Sequence, residues 1–567
     1  MRRAPWLALI VLAVAGCSAP APAGGDDPGP APPVPYDAWA SKLSEPRYSD
    51  IVRESSFLRS KDGTSLAITV WRPKDAGTAT LPTLLQITPY QTIDRAVMAT
   101  FGEEPTTFWP KRGVVFALAD ARGTHSSGGC LDFGGFRDRE DARAFAQWIQ
   151  AQPWSNGTIA VEGVSHPGMG ALVASVADVP GLVASLAHAP VSSYYMDEWE
   201  NGARFEGQNN GAAYQAIETL PTLDPSPEAI ANQAGGTCQG ETLREFTIND
   251  GTLTPWFKDK DLNLLAKDVR KPILLTIGFF DMNVFPTHVE RFWRALPEDV
   301  DARLVLGYWT HSYPDLGGYT TPEWADWQHR YLDTVLLGRD TGFEREPRIL
   351  VEDSTGAWHA LAAWPPVNLT TLWPAKDGAL SETPSGPGQA SWRDDPSAHR
   401  DRWGPDAHVL FETEPLENPV WVAGAPRVTL VAKATASHVN HVVYLFDVAP
   451  DGTRVRVSHG YHDSRFPNGL ERAAPPAPGT PATYAFDLFP TAHVLEKGHR
   501  LALVLASSDR STTDGYTQCQ RTPRGGCYDP SGLMPSPNPD AVTTALLGAE
   551  ATRIDVPFAD PALGHVG

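Results

Sequence analysis

The sequence predicts an α/β domain interrupted by a helical insertion and followed by a C-terminal β-sandwich. Three observations predict it. Short apolar runs at 83–88, 114–119, 158–161, 184–189, 272–278 and 303–307 are separated by longer or helical stretches. Continuous apolar strands alternating with helices imply a parallel sheet covered on both faces. Residues 191–268 break this rhythm with a loop-rich stretch containing several Trp, Tyr and Phe, which is the pattern of an insertion. From 367 onward, β-branched or alternating runs at 428–432, 442–447, 454–459, 483–488 and 500–506 are punctuated by Pro450-Asp451-Gly452-Thr453 and Lys497-Gly498-His499. Many short strands with turn signals predict an antiparallel sandwich.

The first residues are of another kind. Arg2 and Arg3 precede an apolar run, 6–15, that leads into Val14-Ala15-Gly16-Cys17. A short basic stretch, an apolar segment and small residues make a secretory signal, and the run is too short to span a bilayer. Cys17 stands where a bacterial lipobox places its lipidated cysteine, so 1–17 is expected to be a lipoprotein-type signal peptide. The competing reading is a plain signal with an incidental cysteine. Residues 18–38 are mostly Pro, Ala and Gly, too poor in large apolar residues to bury a core, and are expected to form a flexible tether. The mature chain is expected in the cell envelope, lipid-anchored, or secreted, touching a membrane through that anchor alone. A net charge of −21 offers no basic stripe to neutralise phosphates, which argues against nucleic acid as a partner.

Beyond Cys17 there are four cysteines. An even number in an exported chain allows two disulfides; Cys519 and Cys527 are close enough to bridge a loop, leaving Cys130 with Cys238. No Cys-x-x-Cys is present to support a zinc or redox site.

Within the α/β portion, Asp62-Gly63 predicts a hairpin turn between runs 51–58 and 66–71. Ala142, Phe145, Ala146 and Ile149 share one face of a helix over 138–150. The strand at 158–161 runs into Gly163-Val164-Ser165-His166-Pro167-Gly168, and a helical run, 167–177, follows at once. Strand, sharp turn and helix make the geometry of a nucleophile elbow, with Ser165 as candidate nucleophile. Pro167 stands where the strict pentapeptide has glycine, but proline in a first helical turn loses only an N–H that has no intrahelical partner. Tyr90, Arg122 and Ser165 all fall at C-terminal strand ends, where ligands of such sheets bind.

A serine hydroxyl needs a base, and an imidazole base needs a carboxylate to fix its tautomer. After the insertion, Gly278-Phe279-Phe280-Asp281 and Gly307-Tyr308-Trp309-Thr310-His311 each follow a predicted strand. Ser165, Asp281 and His311 therefore arrive in the chain order of an α/β-hydrolase triad.

With these residues in view, the chain resembles the X-Pro dipeptidyl-peptidase/cocaine-esterase (CocE/NonD) group of serine hydrolases. The matching motifs are Thr88-Pro89-Tyr90, Asp120-Ala121-Arg122-Gly123-Thr124, Gln152-Pro153-Trp154-Ser155-Asn156-Gly157, Gly163-Val164-Ser165, Gly278-Phe279-Phe280-Asp281 and Trp309-Thr310-His311. The resemblance implies an α/β-hydrolase catalytic domain over 39–190 and 269–350, a lid insertion over 191–268, and a jelly-roll domain over 367–567. It implies an oxyanion hole made by the Tyr90 hydroxyl and the His166 N–H, and no metal or organic cofactor. His166 departs from the family, which usually has Tyr after the serine. Arg122 is expected to brace its loop rather than touch substrate.

The expected activity is hydrolysis of a small acyl ester or amide through an acyl-enzyme. An X-Pro dipeptidyl peptidase is the alternative; it needs an acidic pocket for a free α-amino group, and Asp197, Glu198 and Glu200 are either that pocket or solvated surface. A non-catalytic surface binding lipoprotein is the second alternative. His438 and His441, three apart on a predicted strand, face opposite sides and are not expected to ligate a metal.

Overall fold

The computed structural model describes residues 32–90, 103–206, 213–214, 238–314, 316, 323–367, 369–398, 403–510, 520–521, 527–528 and 532–566. Cys17, the rest of the signal segment, the first part of the tether and Cys519 lie outside the described residues, as does much of the 191–268 insertion.

A ten-stranded sheet forms the first part of the molecule. In chain order its strands are β1 (Ile51–Arg59), β2 (Ser65–Pro73), β3 (Leu81–Thr88), β4 (Val115–Asp120), β5 (Ser155–Val164), β6 (Leu182–His188), β7 (Ile273–Gly278), β8 (Ala302–Gly307), β9 (Ile349–Glu352) and β10 (Trp358–Leu361). Their spatial order is β1-β2-β4-β3-β5-β6-β7-β8-β9-β10. Strands β4 through β9 are mutually parallel, and the antiparallel pairs β1/β2, β2/β4 and β9/β10 stand at the two ends. The Asp62-Gly63 hairpin forms as expected, with Gly63 at φ 88°. Every residue of β4, β7 and β8 is buried, the consequence of helices on both faces.

Helices α1 (Pro105–Arg112), α2 (Phe136–Gln150), α3 (His166–Val176), α4 (Tyr194–Glu198), α5 (Thr287–Arg294) and α6 (Trp324–Leu337) supply that cover and part of the insertion. On one face α2, α3 and α5 pack Ala142, Phe145, Ile149, Leu172, Val289 and Phe292 against Ile159, Val161, Leu275 and Leu306. On the other, α1 and α6 set Trp109, Trp327 and Leu332 against Leu84, Ala160, Leu186 and Val305. The apolar face predicted for 138–150 is the buried face of α2. Strand order reverses about β3, which lies between β4 and β5. A crevice at the C-terminal strand ends opens at such a reversal, and Tyr90 follows β3 while Ser165 follows β5.

The C-terminal part is a β-sandwich. His408–Glu412, Arg500–Ala506, Asn440–Val448 and Arg454–Asp463 form a four-stranded antiparallel sheet. It faces a seven-stranded sheet that includes Arg427–Ala434, Ala482–Asp487, Val542–Leu547 and Arg553–Val556. All nine residues of Asn440–Val448 are buried, and the two-residue period of a strand explains how. Val443 and Leu445 enter the sandwich core. Val442, Tyr444 and Phe446 point the other way, into a separate cluster with Phe205 and Phe285 of the preceding domain. The sandwich thus docks on the α/β domain through an apolar face of its own.

Candidate active site

The β5–α3 turn begins with steric necessity. A Cβ on Gly163 would lie 2.4 Å from the Pro167 carbonyl carbon, and one on Gly168 would lie 2.8 Å from the His188 carbonyl oxygen. Only glycine lets strand and helix approach so closely. Between them Ser165 adopts φ 67°, ψ −130°, a conformation rare for a residue with a side chain. Its N–H donates to the His188 carbonyl at 2.9 Å, and its carbonyl accepts the Met169 N–H at 3.0 Å. The hydroxyl is therefore carried on a strained, doubly tethered turn at the start of α3. Pro167 occupies the second position of that helix, one later than expected, and still costs no intrahelical bond.

Asp281 and His311, 30 residues apart in sequence, meet at the ends of β7 and β8. His311 Nδ1 lies 2.7 Å from Asp281 Oδ2. The other carboxylate oxygen, Oδ1, accepts the N–H groups of Asn283 at 3.0 Å and Val284 at 2.9 Å, which fixes the acid's orientation. Asp281 is fully buried, whereas His311 is 24% exposed. Burial opposes the His311 imidazolium. The Asp281 carboxylate, as charge and as hydrogen-bond acceptor, and Asp197 behind it outweigh that penalty and hold the His311 pKa above its ordinary value.

The rings of Tyr90 and His166, the residue after Ser165, lie 6.0 Å apart edge-on. The Tyr90 hydroxyl is 2.6 Å from that of Tyr214, and the rings of Tyr214 and Tyr194 meet edge-on with centroids 5.4 Å apart. The Tyr194 hydroxyl lies 2.6 Å from His166 Nδ1. Burial pushes the His166 pKa down to about 3, so the ring is neutral. Neither Tyr194 nor Tyr214 is marked by any motif; Tyr194 has only the adjacent Tyr195 as a signal, and Tyr214 falls within the loop-rich 191–268 stretch of the sequence.

The insertion acids are neither a solvated surface nor an open acidic pocket. Asp197, Glu198 and Glu200 are 2%, 0% and 1% exposed. Asp197 Oδ1 stands 2.9 Å from His288 Nε2. On the other side of the ring the Ser192 N–H donates to His288 Nδ1 at 3.1 Å. Glu200 contacts Arg291 at 3.3 Å, and Glu198 lies 3.8 Å from Arg204. Asp197 and Glu198 end a short helix and Glu200 lies on the two-residue strand after it, all three turned inward, which overturns the solvated-surface alternative.

Arg122 braces its loop as expected. It is 3% exposed, and its Nε and Nη2 clamp the two oxygens of Asp141, each at 2.8 Å. Its Nη1 reaches Asp62 at 3.0 Å, tying the β1–β2 turn to the same cluster. Cys130 and Cys238 are disulfide-bonded, joining this loop to the insertion. The Cys519 half of the second expected pair lies outside the described residues. His438 pairs with Asp463 at 3.1 Å, while His441 is buried with neither ring nitrogen hydrogen-bonded. Among the described residues no group of three or more His, Cys, Asp or Glu is placed to hold a metal ion, and no helix is long and apolar enough to cross a membrane.

The chain matches the X-Pro dipeptidyl-peptidase (S15 family) over residues 62–313 and the X-Pro dipeptidyl-peptidase C-terminal non-catalytic domain over 341–525. It is 25% identical to a Streptomyces avermitilis protein whose name proposes a Xaa-Pro dipeptidyl-peptidase, with 90% of this chain and 86% of that one covered. It is 24% identical to the cocaine esterase of Rhodococcus sp., covering 80% of this chain and 91% of the esterase. In fold it resembles a CocE/NonD family hydrolase from Staphylococcus aureus, at 15% identity and a TM-score of 0.73 over 90% of this chain and 94% of the other.

Proposed function

Because the chain belongs to the X-Pro dipeptidyl-peptidase and cocaine-esterase family of serine hydrolases, we propose that it cleaves small acyl esters or amides through a Ser165–Asp281–His311 triad. The observation that carries this reading is the 2.7 Å contact between His311 and a buried, doubly anchored Asp281; a serine held at positive φ on an elbow supports it. In this mechanism His311 takes the Ser165 proton as the oxygen attacks the carbonyl, and Asp281 holds the imidazole tautomer and balances its positive form. The His166 N–H, at the start of α3, and the Tyr90 hydroxyl stabilise the oxyanion. Collapse of the tetrahedral adduct expels the alcohol or amine, which leaves with the proton from His311. Water activated by the same histidine then releases the acid.

Ester or acyl cleavage is favoured over dipeptide release by the state of the insertion acids. Recognition of a free α-amino group needs a carboxylate turned to the substrate, and Asp197, Glu198 and Glu200 are buried against His288, Arg204 and Arg291. The deciding measurement is hydrolysis of p-nitrophenyl butyrate and Ala-Pro-p-nitroanilide by the wild type and Ser165→Ala. Ester turnover lost in the variant, without anilide release, is expected. Anilide release dependent on Ser165 would make the protein a peptidase, and turnover unaffected by the variant would remove the triad.

The same reading includes export and an N-terminal lipid anchor on Cys17, supported by the basic, apolar and small-residue order of 1–17. A Cys17→Ser variant is expected to leave the detergent phase for the aqueous one; partition equal to that of the parent would rule out lipid at that residue.

A further inference from the structure

His188 touches the chain that leads to, or follows, each member of the triad. It closes β6, the strand between β5 and β7, and in register it stands beside Val164 on one side and Thr276 on the other. Val164 immediately precedes Ser165, and Thr276 lies on the strand that runs into Asp281. The His188 carbonyl accepts the Ser165 N–H at 2.9 Å, while Nδ1 of its ring lies 3.0 Å from the Thr276 hydroxyl. The third contact is made by the ring. Its centroid is 4.9 Å from that of Tyr313, which stands just past His311, and 5.4 Å from that of Trp324 on α6.

An imidazole is a costly choice for this place. His188 is fully buried, and its Nε2 has no hydrogen-bond partner among the described residues, a penalty that an apolar side chain would not bear. Burial pushes its pKa down to about 3, so the ring is neutral. What histidine offers in return is a fixed plane. Rotation of a flat ring about its last torsion is loosely restrained by itself, and the Thr276 contact selects one setting. Tyr313 and Trp324 then meet that ring edge-on, the arrangement aromatic pairs favour. On the other side of His311 the loop is held by the Phe280 N–H, which donates to the Trp309 carbonyl at 3.2 Å. The base is thus tethered before and after.

We infer that His188 is a positioning residue for the base: its ring, set by Thr276, seats Tyr313 and so holds His311 in register with Asp281 and Ser165. This rests on the hydrolase reading above and deepens it.

The test uses p-nitrophenyl butyrate, with a thermal melt for each variant. Tyr313→Leu, at a half-buried position, removes the ring that His188 seats. It is expected to lower kcat about tenfold with KM changed less than about twofold, because a small misplacement of a catalytic group acts on the chemical step. His188→Ala is expected to give a similar loss by itself and none beyond it in the Tyr313→Leu background; equal fold-losses in both backgrounds overturn the inference. His188→Phe keeps a ring against Tyr313 and is expected to retain several-fold more kcat than His188→Ala, whereas equal losses count against it. The downfield proton resonance of the His311–Asp281 hydrogen bond supplies a readout that stability alone does not move. It is expected to shift or broaden in Tyr313→Leu and His188→Ala; a lowered Tm with this resonance unchanged would assign His188 to packing alone. Should His188→Ala fail to fold, Tyr313→Leu decides, since unchanged kcat and resonance there overturn the inference. Absence of Ser165-dependent turnover in the wild type is a different result: it removes the hydrolase reading and this inference with it.

Discussion

His311 is a base only when neutral, and its raised pKa sets the acid limb of the pH profile. A raised histidine pKa means the imidazolium is favoured in the folded site, so kcat/KM should fall as pH drops, with a midpoint above the ordinary 6.5. Asp197 contributes to that elevation from within the insertion. Asp197→Asn is expected to move the midpoint to lower pH, checked by kcat/KM between pH 5 and 9; an unmoved limb would deny the coupling. Glu162, on β5 beneath the elbow, is fully buried beside the Gln328 amide, and burial pushes its pKa from 4.5 up to about 8. The folded protein therefore holds a proton that the unfolded chain releases, and stability falls as pH rises between about 4.5 and about 8. Glu162→Gln removes that loss. Its Tm should exceed that of the wild type by several degrees at pH 8.5, with the gap shrinking toward pH 5; a constant gap would contradict this ionisation.

At the scale of elements, what was legible followed from periodicity. The continuous apolar runs became β3, β4, β5, β6, β7 and β8, and the amphipathic face of 138–150 became the packed face of α2, because burial on two faces or one stripe leaves a direct trace in residue order. Strands β9 and β10 and helices α1 and α6 left a weaker one. Trp324, Trp327 and Tyr331 on α6 are large aromatics whose burial is set by the sheet beneath them, not by a clean polar face of their own. The insertion was legible as a break in pattern, but the inward turn of its acids was not. The Cys130–Cys238 disulfide ties this insertion to the Arg122 loop across a sequence separation of 108. Closing so long a loop constrains the unfolded chain by about 4 to 5 kcal/mol in the chain-entropy picture. The Cys130→Ser/Cys238→Ser variant is expected to melt several degrees lower, with increased proteolysis in the insertion; unchanged melting would show that the bridge contributes nothing to stability.

For the whole molecule, the decisive contact is between the sandwich and the loop that carries Asp281. Phe285, four residues after Asp281, is buried with its ring 4.4 Å from Phe205 and 5.2 Å from Phe489 of the sandwich. Around it, Arg294 joins Glu290 to Asp487 of the sandwich, and Asn201 of the insertion donates to the Tyr461 carbonyl at 2.9 Å. The C-terminal domain therefore supports the position of the acid as well as covering apolar surface. Phe285→Ala, a large-to-small change in a packed cluster, is expected to cost about 3 kcal/mol or more and to lower kcat together with Tm. Loss of stability with kcat fully retained would show that the Asp281 loop holds its place without the sandwich.

The sequence by itself determined the α/β class, the separate β-rich half and the identity of Ser165, Asp281 and His311 as candidates. These depend on local pattern and chain order: a glycine-flanked serine after a strand, and an acid and a histidine each just past a strand and glycine. Tertiary structure decided the rest. Asp197 facing His288, Tyr214 meeting Tyr90, and Phe285 meeting Phe489 are contacts between residues 91, 124 and 204 positions apart. No periodicity encodes such a pairing; it exists only once the sheet has fixed where each loop ends and burial has removed the water that would otherwise separate the partners.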